Sequence, residues 1–288
     1  MINNDKLDII LYNIFNNDYS DEVKKVQLQK LINNINVDFD DLKNRYEWLK
    51  TMDIDPNIYH LEENHKLIYE IFDEYNKMLN VNNIEYYYTS GILSYLLVDK
   101  NLERYHHDLD IFINMRDLEK LEKICFDYNF SFERKIGERD DGTKRVMLKM
   151  YYKNIVDIPI TVFMYTKEKD SSIIQKDYFI DERGNQYVEY IYNSPQISKL
   201  SFSDVPHYHN EIEYYAITLE ALFLCKKCNR AKDVYDCTIF SSAIDIEKLH
   251  ALECAFKINL PNTIVTAQED AFNEFIFNKI RNEKKLIL

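Results

Sequence analysis

The segment Tyr88-Thr-Ser-Gly91, followed by Arg104-Tyr-His-His-Asp108-Leu-Asp110-Ile-Phe-Ile113, decides the fold of this 288-residue chain. Asp108 and Asp110 open an apolar, β-branched run. The two-residue period of a strand puts both carboxylates on one face and Leu109, Ile111 and Ile113 on the other. Two carboxylates that converge in this way suit a hard cation such as Mg²⁺, which takes oxygen ligands and bridges to phosphate oxygens. An isolated Asp-x-Asp carries little weight, because acidic residues also open solvated strands. Its surroundings add to it. Residues 84–89 are aromatic and β-branched and read as a strand, and residues 92–98 read as a helix, so Ser90-Gly91 is a strand-to-helix turn. Free N–H groups at such a turn receive a triphosphate, and a glycine lets it come close.

Outward from this segment, strands and helices interleave as in an α+β core, a mixed sheet flanked by helices. Residues 62–79 carry Leu67, Ile68, Ile71, Phe72, Tyr75 and Met78 on one side of a helix, with Asn82-Asn83 as a stop. Residues 109–114 form a strand and residues 117–128 a helix. Residues 145–152 and 155–163 are two strands joined by a turn at Lys153-Asn154, and residues 186–192 are a further strand. Asp157 falls inside the second of these runs, Ile155-Val-Asp-Ile-Pro-Ile160. A carboxylate in a buried strand must be ligated or paired; the alternative is an exposed edge next to Pro159. Residues 165–181 read as a loop over the site. The division expected is an N-terminal helical segment at 1–58, the α/β core at 59–200 and a C-terminal helical domain at 201–288.

Composition narrows the function. Only 4 glycines are present, and none of their spacings gives G-x-G-x-x-G. Gly137 and Gly142 have P-loop spacing, but Thr143-Lys144 reverses the final pair and Glu138, Asp140 and Asp141 repel phosphate. A net charge of −13 disfavours DNA as partner and suits an acidic, metal-binding cleft or a cationic substrate. No apolar run is long enough to span a membrane, and the first ten residues lack the pattern of a secretory signal, so a cytoplasmic location is expected. Five cysteines, an odd number, read as reduced thiols; Cys225, Cys228 and Cys237 fall in a helical pattern without a second ligand pair, as core residues rather than a zinc site. His207 and His209 read as a solvated loop, with a shared metal as the alternative. Arg134, Lys144 and Arg145 read as a basic loop over phosphates or a solvated hairpin.

The turn, the Asp-x-Asp strand and the later Asp157 resemble the DNA-polymerase-β-like nucleotidyltransferase superfamily. The similarity is greatest to the bacterial branch that holds aminoglycoside and lincosamide nucleotidyltransferases and abortive-infection toxin-like members, and it extends over residues 61–242. In that branch a basic residue and a histidine precede the aspartate pair, places held here by Arg104 and His107. A second match is Glu220-Ala-Leu-Phe-Leu-Cys-Lys-Lys-Cys-Asn-Arg230-Ala-Lys232-Asp233-Val-Tyr-Asp236, which is similar to the family's C-terminal helical motif. Helical spacing puts Lys226, Arg230 and Asp233 on one face. Intrahelical ion pairs, Arg230 with Asp233 and Lys232 with Asp236, are the alternative use of these charges. The turn departs from the family's Gly-Gly or Gly-Ser order, and either Ser90 or Ser94 is left to reach the triphosphate.

The resemblance implies an enzyme that moves a nucleoside monophosphate from an NTP such as ATP to an acceptor hydroxyl, with Mg²⁺, two ions, as cofactor. Asp108, Asp110 and Asp157 would be the metal ligands and catalytic residues, with Asp157 or Glu220 as general base. Ser90, Gly91, Ser94, Arg104, His107, Lys226, Arg230 and Lys232 would bind the nucleotide. The expected acceptor is a small cationic molecule of the aminoglycoside type, which would make the protein an antibiotic-resistance factor. The alternatives are a toxin-like enzyme acting on tRNA or protein and a non-catalytic nucleotide-binding protein of the same fold.

Overall fold

The computed structural model describes residues 11, 24, 28, 39–45, 61–89, 91–99, 106–138, 144–167, 173–181, 183–190, 199–226, 236–237, 239 and 243–259. Most of the N-terminal helical segment, residues 260–288 of the expected C-terminal helical domain, and Ser90, Arg104, Arg230, Lys232 and Asp233 lie outside them. The elements are α1 (Phe39–Arg45), α2 (Leu61–Val81), β1 (Tyr86–Thr89), β2 (Leu109–Asn114), α3 (Leu118–Ile124), β3 (Phe130–Glu138), β4 (Lys144–Tyr152), β5 (Ile160–Lys167), β6 (Ile173–Ile180), β7 (Gln186–Tyr190), β8 (His207–His209), β9 (Ile212–Tyr214), α4 (Leu219–Cys225) and α5 (Ile246–Asn259). This is the α+β architecture expected, a mixed sheet flanked by helices. Among the described residues no helix is long and apolar enough to cross a membrane.

Seven strands form one sheet in the order β1-β2-β5-β4-β6-β7, with β3 on β4. Among the described strands only β2 and β5 pair in parallel, with an isolated parallel bridge between Tyr88 and Ala216. Helix α2 covers one face. Its residues Ile68, Ile71, Phe72, Tyr75, Met78 and Leu79 recur at helical spacing and are all buried. Phe72 packs on Tyr88 with ring centroids 4.7 Å apart, and the Tyr75 hydroxyl reaches Met150 Sδ at 3.1 Å. On the opposite face Tyr87, Phe112, Phe163 and Tyr165 gather around Phe202, at 4.7 Å for Tyr87 and 5.7 Å for Tyr165. The Tyr88 N–H donates to Tyr215 O and the Ile217 N–H to Tyr88 O, so backbone pairing along β1 continues beyond residue 200.

Three local readings are corrected. The strand expected at 155–163 begins only at Ile160, because Lys153 and Asn154 take left-handed φ values of 48° and 60° and the chain bends through 157–158 before it pairs with β2. Residues 165–181 are not a loop: β5 runs to Lys167, and residues 173–180 return as β6. Residues 207–209 are a strand, not a solvated loop. His209 Nδ1 lies 2.8 Å from Asp73 Oδ1, and its ring stacks on Tyr69 at 4.9 Å. Arg134, Lys144 and Arg145 lie on the antiparallel β3–β4 pair, the hairpin of the two arrangements expected for them, with Arg134 bonded to Glu122 and Arg145 to Asp177.

Candidate active site

The aspartate pair is set by contacts from both flanks. Ahead of β2, Asn64 of α2 holds the backbone of His106 twice: its Nδ2 donates to His106 O at 2.8 Å, and its Oδ1 accepts from the His106 N–H at 2.9 Å. The ring of buried His106 meets Tyr95 edge-on at 5.1 Å. The Leu109 N–H donates to Pro159 O at 3.1 Å, which starts the parallel pairing. Asp108 and Asp110 emerge half-buried from this clamp, while Leu109 and Ile111 are fully buried. His107 is exposed beside them.

Cross-strand neighbours share a sheet face, so the pairing register identifies what stands beside Asp110. On β1 it is Thr89, the residue before the Ser90-Gly91 turn. On β5 it is Thr161, whose partner on β4 is Lys149, whose partner on β3 is Glu133. A row Thr89, Asp110, Thr161, Lys149, Glu133 therefore crosses five strands on the face away from α2. Lys149 Nζ donates to Thr161 Oγ1 at 2.7 Å.

The turn lies at the same sheet end as the aspartates. Gly91 is buried, and the N–H groups of Ser94 and Tyr95 bond back to Gly91 O and Ile92 O at 3.3 and 3.1 Å. The helix expected there ends in a π-helical turn, Tyr95–Asp99. Ser94 is fully buried and its Oγ has no hydrogen-bond partner. Asp157 is exposed at the bend before β5, and among the described residues no three His, Cys, Asp or Glu side chains come together as a metal-binding group. Asp108 and Asp110 thus flank buried Leu109, and among the described residues no third carboxylate completes a metal-binding group with them.

The C-terminal residues are placed differently. Lys226, only 7% exposed, donates to the fully buried Asp236 at 2.7 Å, an ion pair that ties the end of α4 to the chain at 236. Glu220 is buried, and its Oε1 accepts the Asp245 N–H at 2.8 Å, so this carboxylate secures the start of α5. A cleft of about 520 Å³ opens between the π-helical turn at Leu96 and these helices, lined by Leu96, His207, Tyr214, Thr218, Glu220 and Lys248. Burial there lowers the pKa of His207 below the usual imidazole value, which favours the neutral ring. Cys225 and Cys237 are reduced thiols.

At the other end of β2 the same face is electrostatically closed. Glu85 accepts hydrogen bonds from Asn114 Nδ2 at 3.0 Å and from Arg116 at 2.8 Å, and pairs with Lys167. Burial opposes its ionisation; the Lys167 ammonium and the Asn114 amide outweigh burial and hold its pKa below the ordinary carboxylate value. Asn64, His106, Thr161 and Lys149 are the site residues that sequence reasoning missed. Lys149 alternates with buried Leu148 and Met150 along β4, so its placement on the far face from α2 was legible, but its neighbours were not.

No protein-family model matches the chain, and none of the curated proteins matches its sequence. Solved structures that resemble it include three of antibiotic-modifying proteins. The solution structure of the antibiotic-resistance factor ANT(2'')-Ia superposes with a TM-score of 0.45 at 12% identity, over 68% of this chain and 93% of that one. The crystal structure of ANT(2")-Ia in complex with adenylyl-2"-tobramycin gives 0.45 at 13% identity, over 67% and 98%. The lincomycin-bound lincosamide antibiotic adenylyltransferase LnuA gives 0.35 at 16% identity, over 67% and 95%.

Proposed function

We propose that the protein is a metal-dependent nucleotidyltransferase that moves an NMP from an NTP to the hydroxyl of a small acceptor. One observation carries the reading: the register pairs Thr89 with Asp110, so the Ser90-Gly91 turn and the aspartate pair share one sheet end. A turn that offers N–H groups to phosphates beside two same-face carboxylates is the arrangement that triphosphate chemistry requires.

Asp108 and Asp110 are oxygen donors on one face and fit one hard divalent ion such as Mg²⁺, with phosphate and water completing its shell. Bound there, the ion supplies charge stabilisation at the α-phosphate and the departing pyrophosphate. A second ion would need Asp157 as a ligand, and its exposed position better suits a general base. In the reaction the acceptor oxygen attacks the α-phosphorus, the bond from that phosphorus to the pyrophosphate oxygen breaks, and the acceptor's proton passes to Asp157 or to water. Gly91 and Ser90 bind phosphate at the turn together with Ser94; Arg104, Arg230 and Lys232 supply positive charge, and His107 supplies a hydrogen bond. Lys226 acts through Asp236, by holding the helical region in place. The cleft of about 520 Å³ beside the π-helical turn has the volume for a small acceptor. A net charge of −13 favours a cationic one, of the aminoglycoside type.

The test is incubation with labelled NTPs, Mg²⁺ and a panel of aminoglycosides, lincosamides and tRNA. Transfer by the wild type and none by Asp108→Ala is expected. Absence of transfer and of any NTP-dependent thermal shift in both proteins would remove the enzyme reading. Label on tRNA alone would keep the chemistry and replace the acceptor.

A further inference from the structure

Lys149 differs from four neighbouring cations on the sheet. Arg134 bonds Glu122, Lys135 lies 3.3 Å from Glu133, Arg145 meets Asp177 and Lys167 pairs with Glu85. Lys149 is half-buried in mid-strand, yet its bond is to a neutral hydroxyl, Thr161 Oγ1 at 2.7 Å. Its cross-strand neighbour Glu133 is engaged by Lys135. A half-buried ammonium without a carboxylate costs solvation that one hydroxyl does not return, unless an anion binds there. The flexible lysine stem lets the head group swing from Thr161 to such an anion.

Register says where the anion lies. Thr161 separates Lys149 from Asp110 by one strand on each side, about 4.8 Å apiece. The residue beside Asp110 on β5 is thus a threonine, and the next charge along the row is positive. We propose that Lys149 is a substrate-binding residue of the transfer site. Its ammonium leaves Thr161 to contact phosphate oxygens of the bound NTP and, after transfer, of pyrophosphate. A lysine in this place binds phosphate as a point charge and stays protonated throughout. It supplies, from the protein, positive charge that a second metal ion would otherwise bring to this side of Asp110. The inference rests on the nucleotidyl-transfer reading.

The experiment is calorimetric titration of the full-length chain with each of ATP, GTP, CTP, UTP and sodium pyrophosphate, in metal-free buffer and with Mg²⁺. Lys149→Met should weaken binding about 10- to 100-fold in both buffers, the size of one hydrogen bond to a charged group, and Lys149→Arg should keep most of the affinity. On the wild type, acylation of lysines followed by mass spectrometry should show Lys149 protected by pyrophosphate while exposed Lys153 is not. This readout decides if Lys149→Met fails to fold. Unchanged binding by a folded Lys149→Met, or no protection of Lys149, overturns the inference alone, provided the wild type transfers and Asp108→Ala does not. A wild type that binds neither NTPs nor pyrophosphate overturns the transfer reading and Lys149 with it.

Discussion

The two ends of strand β2 present carboxylates on the same sheet face and do opposite things with charge. At the Asn114 end, Glu85 is met by Lys167, Arg116 and the Asn114 amide, a group complete within the protein. At the Asp110 end the nearest cation in the row, Lys149, rests on a hydroxyl. Between them Tyr87, Phe112, Phe163, Tyr165 and Phe202 form an aromatic block that keeps the ends apart. The contrast teaches how to tell structural from functional charge in one sheet. Charges that neutralise one another have been used in folding, whereas an ammonium that rests on a neutral hydroxyl retains attraction for an anion.

Mutations at the two ends should separate these roles. The largest effect is expected at the aspartate end: Asp110→Asn should lower transfer by about 10³-fold or more, with a thermal midpoint close to wild type, as loss of a charge-stabilising group does. If it instead lowers stability and spares turnover, the assignment of the two ends is reversed. Glu85→Ala should do the converse. It should cost about 1–3 kcal/mol in urea unfolding, because buried Asn114 and the Lys167 ammonium lose their partner, and it should leave the Kd for NTP unchanged.

The pH dependence sharpens the same contrast. The Glu85 pKa is lowered in the folded state, so its contribution is fully present above the unfolded value of about 4.5 and is lost as pH falls through the lower folded value. Wild type should therefore lose stability faster than Glu85→Gln on acidification below pH about 4.5; parallel curves would show that the cluster is electrostatically neutral to folding. The smallest effect is expected for Arg116→Ala. Its side chain is 69% exposed although it pairs with Glu85, and about 1 kcal/mol or less should be lost, less still at high salt. A larger loss would place Arg116 among the structural members of the cluster.

Much of this was legible in the chain itself. Period-two alternation placed Asp108 and Asp110 together against Leu109 and Ile111, and helical spacing identified the buried side of α2. Both are properties of neighbours a few residues apart, which local backbone geometry fixes. Asp157 illustrates the limit. Its apolar neighbours suggested a strand from residue 155, but the two left-handed residues at the Lys153-Asn154 turn and the chain's re-entry beside β2 put the strand start at Ile160, beyond Asp157. Lys226 illustrates another. Helical spacing set it beside Arg230, whereas burial joined it to Asp236.

By itself, then, the sequence determined the α+β layering, the strand-to-helix turn and the shared face of the aspartates, because each follows from periodicity within one element. The tertiary structure alone decided which residues stand beside Asp110. Thr89, Thr161 and Lys149 come from strands 21 to 51 positions away, and their register is set by side-chain burial on the α2 face. A one-residue slip would turn every one of them to the other side. No spacing within the chain encodes that choice; the packing of Phe72, Tyr75 and their neighbours against the sheet makes it.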